Sequence, residues 1–333
     1  MDFELDDDQL ALRTAARDLL ADRARPRDAD GFDAELWKAM VEQGWLGVEV
    51  PEASGGLGLG TVEAAVLLEE LGRHVAPVPY LQTVLALGAL ARAGRDDWVE
   101  RLLSGDAIGC VAWDVGAPVI AAPLADVAVV VDGDRLVLVE LGEGRRPARQ
   151  PAMDLTRPLG WLAAGALGGV AEVGGRDAVE ALLDRGAVGH AAEMLGGAQR
   201  VLDMSVEYAK DREQFGRPIG SFQAVKHRCA DMLVDIEGMR SALWWAAWCV
   251  GAGHTDASVA ASTAKVWCSD AGMRVMASGL QVHGGIGFTW EHDLHLYLKR
   301  MQLDAVSFGD AVFHRERLAG LLRGRVESGE SVV

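Results

Sequence analysis

Apolar residues return at three- and four-residue steps over most of this chain, and only a central stretch breaks that rhythm. The strongest helical pattern runs from Ala191 to Ala209, where Met194, Leu195, Ala198, Val201, Leu202, Val206 and Ala209 share one face. Gly216, Pro218 and Gly220 end it, because proline lacks an amide hydrogen and glycine tolerates turn geometry. Ser221 is a natural N-cap for a second helix through Val225, Cys229, Met232, Leu233 and Ile236. Upstream, residues 4–24 form an amphipathic helix with acids in its first turn, as the helix dipole prefers. A shorter helix from Asp33 to Gly44 turns Leu36, Met40 and Val41 inward, and Thr61 can cap another through Leu67, Leu68 and Leu71. Ala76 to Tyr80 reads as an extended connector, and two further helices end near Leu103.

From Asp106 to Val173 the period changes to short β-branched runs split by Gly, Asp and Pro, including one from Gly160 to Gly165. The clearest hairpin is Val129–Val139, with Asp132-Gly133 at its turn. After Asp177 helical periods resume over 225–251, 257–280, 292–304 and 308–322. Trp244, Trp245 and Trp248 form an aromatic stripe suited to packing or a subunit interface. The expectation is a mainly α protein with a small β-domain: an N-terminal helical domain over 1–105, a β-domain over 106–175 and a four-helix bundle over 176–333.

Length and charge narrow the chemistry. A chain of 333 residues, half of them hydrophobic, can bury a substantial core. Its net charge of −17 argues against a nucleic-acid or anionic-membrane partner. Cys110, Cys229, Cys249 and Cys268 form no CxxC pair and read as core residues of a reduced protein. The acidic start and the lack of a long uncharged apolar run point to a cytoplasmic, soluble chain. The glycine-rich Ser54–Gly60 loop does not satisfy the GxGxxG register of a dinucleotide fold, so a Rossmann reading fails. His190, His283, His292 and His295 lack the Glu-x-x-His pairs of a bundle di-iron site, and no metal is expected.

Candidate chemistry sits between the two strongest helices, where Arg212, Gln214 and Arg217 flank Phe215. Cations and an aromatic on a turn between rigid helices suit an anionic, partly planar ligand. The plain alternative is a helix hairpin with solvated arginines. The run from Tyr208 to His227, YAKDREQFGRPIGSFQAVKH, resembles the acyl-CoA dehydrogenase signature. Gln281 to Glu291, QVHGGIGFTWE, resembles the family's second signature, and Pro51 to Gly60 is similar to its N-terminal helix–loop motif. The resemblance covers both ends well and the middle poorly.

That resemblance implies the acyl-CoA dehydrogenase fold with a reduced middle β-domain. It also implies FAD, an acyl-CoA substrate, a flavin-reoxidising electron acceptor and α,β-dehydrogenation, in which a carboxylate takes the α-proton and the flavin accepts the β-hydride. By the same resemblance Arg212 and Phe215 reach the diphosphate and adenosine of a neighbouring subunit's FAD. Gln223 lies close by, and Gln281, Gly284 and Gly285 pack against its adenosine diphosphate. Glycine amides and an arginine fork suit a diphosphate. The family's two positions for the glutamate base fall on Gly186 and Gly309, and neither carries Glu. Asp310, one step later and one methylene shorter, is a weak candidate base, with a helix N-cap as its plainer role. Glu193 reads as a locally paired acid. The threonine-bearing loop and the WIT-type strand that grip the flavin ring are missing, and Trp113 reads as core. These features imply the partner-type subunit of an α2β2 acyl-CoA dehydrogenase, resembling actinobacterial pairs that act on steroid side-chain CoA esters. Two rivals stay open: a self-sufficient homo-oligomer using Asp310, and a catalytically silent scaffold.

Overall fold

Helix starts in the N-terminal third are written in short polar signals. A computed structural model of the chain describes residues 4–162 and 170–329. Asp6 caps α1 (Asp7–Arg23) through a reciprocal box with Gln9, and Asp33 caps α2 (Ala34–Glu42) by accepting from the Leu36 amide at 3.0 Å. At α3 (Thr61–Arg73) the cap is Gly60, whose amide donates to Glu63 at 2.8 Å. Thr61 is therefore the first helical residue, and its hydroxyl is free to donate to Glu49. α4 (Tyr80–Arg92) and α5 (Asp96–Leu103) complete this region.

The middle forms two small sheets. β1 (Gly109–Ala112) runs parallel to β3 (Val127–Asp132), which pairs antiparallel with β4 (Arg135–Glu140), and β4 with β7 (Ala171–Gly174). β2 (Val119–Ile120), β5 (Arg149–Gln150) and β6 (Leu159–Gly160) make the second sheet, with the single helical turn α6 (Gly142–Arg145) between β4 and β5. The predicted hairpin is present, with its turn one residue later. Asp132 pairs with Arg135, leaving Gly133 and Asp134 as the loop, because the first loop position needs the positive φ (61°) that glycine supplies. Val127, Val129, Leu136 and Leu138 join the main core, while Ala128, Val130, Val137 and Val139 join a second core under β2. Burial on both faces explains why these strands read as unbroken apolar runs. Beyond Leu162, the predicted 160–165 run lies outside the described residues.

The bundle is built on α7 (Arg176–Asp211), a continuous helix of 36 residues. α9 (Ala257–His283) packs against α7, α8 (Gln223–Gly251), α10 (Leu294–Val306) and α11 (Ala311–Ser328). α3 crosses α7 at glycines: a Cβ on Gly196 would overlap the Glu69 backbone, and one on Gly72 the Glu193 backbone. α8 starts after Phe222 rather than Ser221. Ser221 belongs to a preceding 3₁₀ turn that Phe222 closes by donating to Ile219. Of the tryptophan stripe, Trp244 is core and Trp248 reaches the surface. No helix among the described residues is long and apolar enough to cross a membrane. The protein is mainly helical with a small β region.

Candidate active site and flavin-contact surface

Both positions that resemblance reserves for a catalytic glutamate border one aromatic ring. Gly186 lies on α7, and a Cβ there would overlap the ring of Phe308. Gly309 follows Phe308 directly, and both adopt left-handed backbone (φ 56° and 90°), which turns the Phe308 side chain inward to 4 % exposure. Trp113 stacks on that ring at 5.8 Å and the His190 ring lies 5.6 Å away. Two buried side chains hold the turn. Lys265 Nζ donates to the Ala305 and Gly309 carbonyls at 2.8 and 2.9 Å, and His314 Nε2 bonds the Phe308 carbonyl at 2.9 Å. Burial lowers the Lys265 pKa to about 8 and the His314 pKa to about 4. Asp310 is exposed and is the N-cap of α11, its carboxylate accepting from the Phe313 amide at 2.8 Å.

Beside Phe308 a cavity of about 540 Å³ opens between the β region and α10–α11, walled by Trp113, Phe313, Val306 and Leu159. Its polar side chains are partly engaged locally. Gln82 accepts from the Val111 amide, Asp114 from the Gly116 amide, and Ser307 donates to the Leu303 carbonyl. A flavin ring needs fixed donors aimed at its heteroatoms, and of these three side chains only Gln82, through its Nε2 amide, keeps one uncommitted.

Behind this wall lies a buried ionic cluster. Arg157, from the loop before β6, bonds Glu193 of α7 and Asp304 of α10, and His190 Nδ1 lies 3.0 Å from Asp304. Arg300 pairs with Asp154 at 2.9 Å and with Thr156. Glu193 thus pairs across the fold instead of locally. Its partner lies 36 residues upstream, on a segment whose path the helical period does not reveal. Burial lowers the His190 pKa; burial alone would raise that of Asp304, but Arg157 holds it below the usual range. His190, Glu193 and Asp304 place ligand atoms within 4.8 Å of one another, but a guanidinium already bonds both carboxylates as their counter-cation.

The remaining candidates gather at one end of the bundle. Tyr208, near the end of α7, stacks on His283, the last residue of α9, at 4.8 Å. Just beyond Tyr208, β8 (Glu213–Gln214) and β9 (Arg217–Pro218) form a hairpin whose two loop residues, Phe215 and Gly216, have φ of 54° and 75°. The Phe215 side chain is 92 % exposed. Arg217 stacks over Phe222 at 4.2 Å, but the side chains of Arg212, Gln223 and Gln281 are exposed and form no hydrogen bond among the described residues. Gly284 and Gly285 follow His283, with nothing within 4 Å of where a Cβ would stand. Free donors and uncovered backbone at one end fit a diphosphate and its nucleoside.

Residues 6–109 match the model of the acyl-CoA dehydrogenase N-terminal domain, and residues 174–321 that of its C-terminal domain. The chain is 39% identical over 288 residues to the acyl-CoA dehydrogenase IpdE2 of Mycolicibacterium smegmatis, covering 86% of this chain and 88% of that one. It is 35% identical to the acyl-CoA dehydrogenase FadE27 of Mycobacterium tuberculosis, over 86% of this chain and 87% of that one. The crystal structure of the ChsE4–ChsE5 complex of Mycobacterium tuberculosis superposes with a TM-score of 0.86 at 31% identity, covering 97% of this chain and 99% of that chain. With both terminal domains matched and identity this high over most of the length, the chain belongs to the acyl-CoA dehydrogenase family.

Proposed function

We propose that this chain is the partner-type subunit of a heteromeric acyl-CoA dehydrogenase, and that it lends the outer half of an FAD site to a second, catalytic subunit. The observation that carries this reading is the Phe308 ring. It occupies the space that a glutamate at Gly186 would enter, while Asp310 is turned outward as a helix cap. The chain's own residues then work by binding. Arg212, with Phe215 and Gln223, and Gln281 with the Gly284–Gly285 backbone, would hold the diphosphate and adenosine of an FAD shared with the other subunit. When bound, FAD supplies hydride acceptance. The α,β-dehydrogenation of a CoA thioester falls to the partner's residues, and a second electron carrier reoxidises the flavin. Similarity to a two-component complex, ChsE4–ChsE5, supports the heteromer, and similarity to the steroid acyl-CoA dehydrogenase variant Tcur3481–Tcur3483 supports a steroid-type acyl group.

The test is the visible spectrum of the chain purified alone and after co-expression with a second dehydrogenase subunit. A colourless lone chain that gains flavin and turnover in the pair is expected. Near-stoichiometric flavin in the lone chain sinks the proposal. Arg212→Ala in the assembled pair should lower flavin retention at least about tenfold, the scale of one lost charge-assisted contact.

A further inference from the structure

A second cavity lies in the N-terminal region, away from Phe308 and from the flavin-contact end. It has a volume of about 370 Å³, within the range of small-ligand sites, and opens between α3, α4, the Trp45–Ser54 segment and Arg185 of α7. Its apolar side is made by Trp45, Leu46, Val50, Tyr80, Val84 and Leu87. The Tyr80 hydroxyl is spent on the Trp45 carbonyl at 3.0 Å, so that side presents ring rather than donor.

The charged side chains of the lining, Glu49, Arg92 and Arg185, do not balance. Glu49 accepts from Thr61 at 2.8 Å and is bonded by Arg185, which neutralises that pair. Arg92, at the end of α4, lines the same cavity with its guanidinium lying over Gly88. It has no ion-pair or hydrogen-bond partner among the described residues. In a chain of net charge −17, an unpaired guanidinium above an apolar hollow stands out, since acids to neutralise it are plentiful elsewhere.

We infer that this cavity is a binding site for a small amphipathic carboxylate, its apolar body against Tyr80 and Leu87 and its carboxylate on Arg92. A planar guanidinium binds a carboxylate through two parallel hydrogen bonds, and Arg92 has both donors uncommitted. The glycine at position 88 leaves the groove of α4 open beneath it; a Cβ there would stand 3.9 Å from the guanidinium. This site is independent of the flavin reading, because none of its residues belongs to the flavin-contact set.

The experiment is calorimetric titration of the full-length chain with octanoate, with octan-1-ol as the uncharged counterpart of the same body. Octanoate is expected to saturate a single site, and octan-1-ol to bind at least about tenfold more weakly, one charge-assisted contact apart. Arg92→Gln should weaken octanoate about tenfold while leaving octan-1-ol unchanged. Ala91→Phe, which fills the cavity, should remove binding of both. Arg92→Gln removes no internal bond, so it keeps the test valid if Ala91→Phe misfolds. Absence of saturable octanoate binding overturns the inference, as does octanoate binding that neither substitution changes, which would place the ligand elsewhere. Equal affinity for the alcohol overturns the role of Arg92.

Discussion

Phe308 gives the missing glutamate a structural setting. The sequence shows that Gly186 and Gly309 lack a carboxylate, but not that the Phe308 ring stands where a side chain on Gly186 would go and the Phe313 ring where one on Gly309 would go. That depends on two successive left-handed residues and on carbonyls held by Lys265 and His314 from other helices, none of which has a periodic signature. Phe308→Ala should cost about 3–5 kcal/mol of unfolding free energy, as for other buried aromatics cut to alanine, measured by urea denaturation. Gly186→Glu, which restores the family's residue, should also destabilise and gain no turnover, because its Cβ meets the ring. Measurable dehydrogenation by the lone Gly186→Glu chain would overturn this account. His314 gives the turn a pH dependence. Its folded pKa, about 4, is depressed below the ordinary 6.5 by burial, so the unfolded chain takes up the proton first. Its contribution is complete above pH 6.5 and fades as pH falls toward 4, by about 3 kcal/mol over that window. His314→Gln should show a correspondingly shallower loss of stability between those pH values, and an unchanged slope would remove His314 from the account.

Elements were more legible than contacts. Helical period located α1 to α5 and the bundle helices within a few residues, and β-branched runs located β1, β3 and β4. The misses were local: a turn displaced by one residue at Gly133, and helix starts at Gly60 and Phe222 where a hydroxyl residue stood beside the true cap. The crossing of α3 and α7 was invisible, since glycines inside a helical pattern look like weak positions. Their neighbours reverse that reading. Gly196→Ala, stabilising by up to about 1 kcal/mol on an exposed helix, should here destabilise by roughly 1–3 kcal/mol because the helices must part. Thermal melts of the variant decide the sign. At the β8–β9 turn the logic runs the other way. Phe215 holds positive φ and a ring that is 92 % exposed, a conformation asparagine or glycine adopts more readily. Phe215→Asn should leave the lone chain as stable or up to about 1 kcal/mol more stable, while weakening assembly with the flavin-bearing subunit. Unaltered assembly would show that the ring makes no contact there.

At the scale of the whole molecule, one patch of uncovered apolar surface lies on α8 and α9. Leu233 and Val234 project from α8, and Trp267 of α9 lies over Gly238, one turn beyond Val234, with its indole nitrogen 3.4 Å from the Asp235 carbonyl. From Gln223 to Asp231 the first turns of α8 are largely exposed, with only Val225 and Cys229 half-buried. This same stretch begins at the end of the bundle that carries Arg212 and Phe215. A helix that buries so little along its first turns gains little from packing and opens readily, so its amides report whether another subunit covers it. In the lone chain, amides of residues 225–234 should exchange with solvent far faster than those around Ile236 to Leu243, where the helix enters the core. Co-expression with the second subunit should slow them at least about tenfold, together with the Phe215 turn, while β3 and β4 remain unchanged. If a flavin-loaded pair forms and the exchange of α8 does not slow, the partner sits on another face, and the exposed Val234–Trp267 surface must be assigned to contacts between copies of this chain.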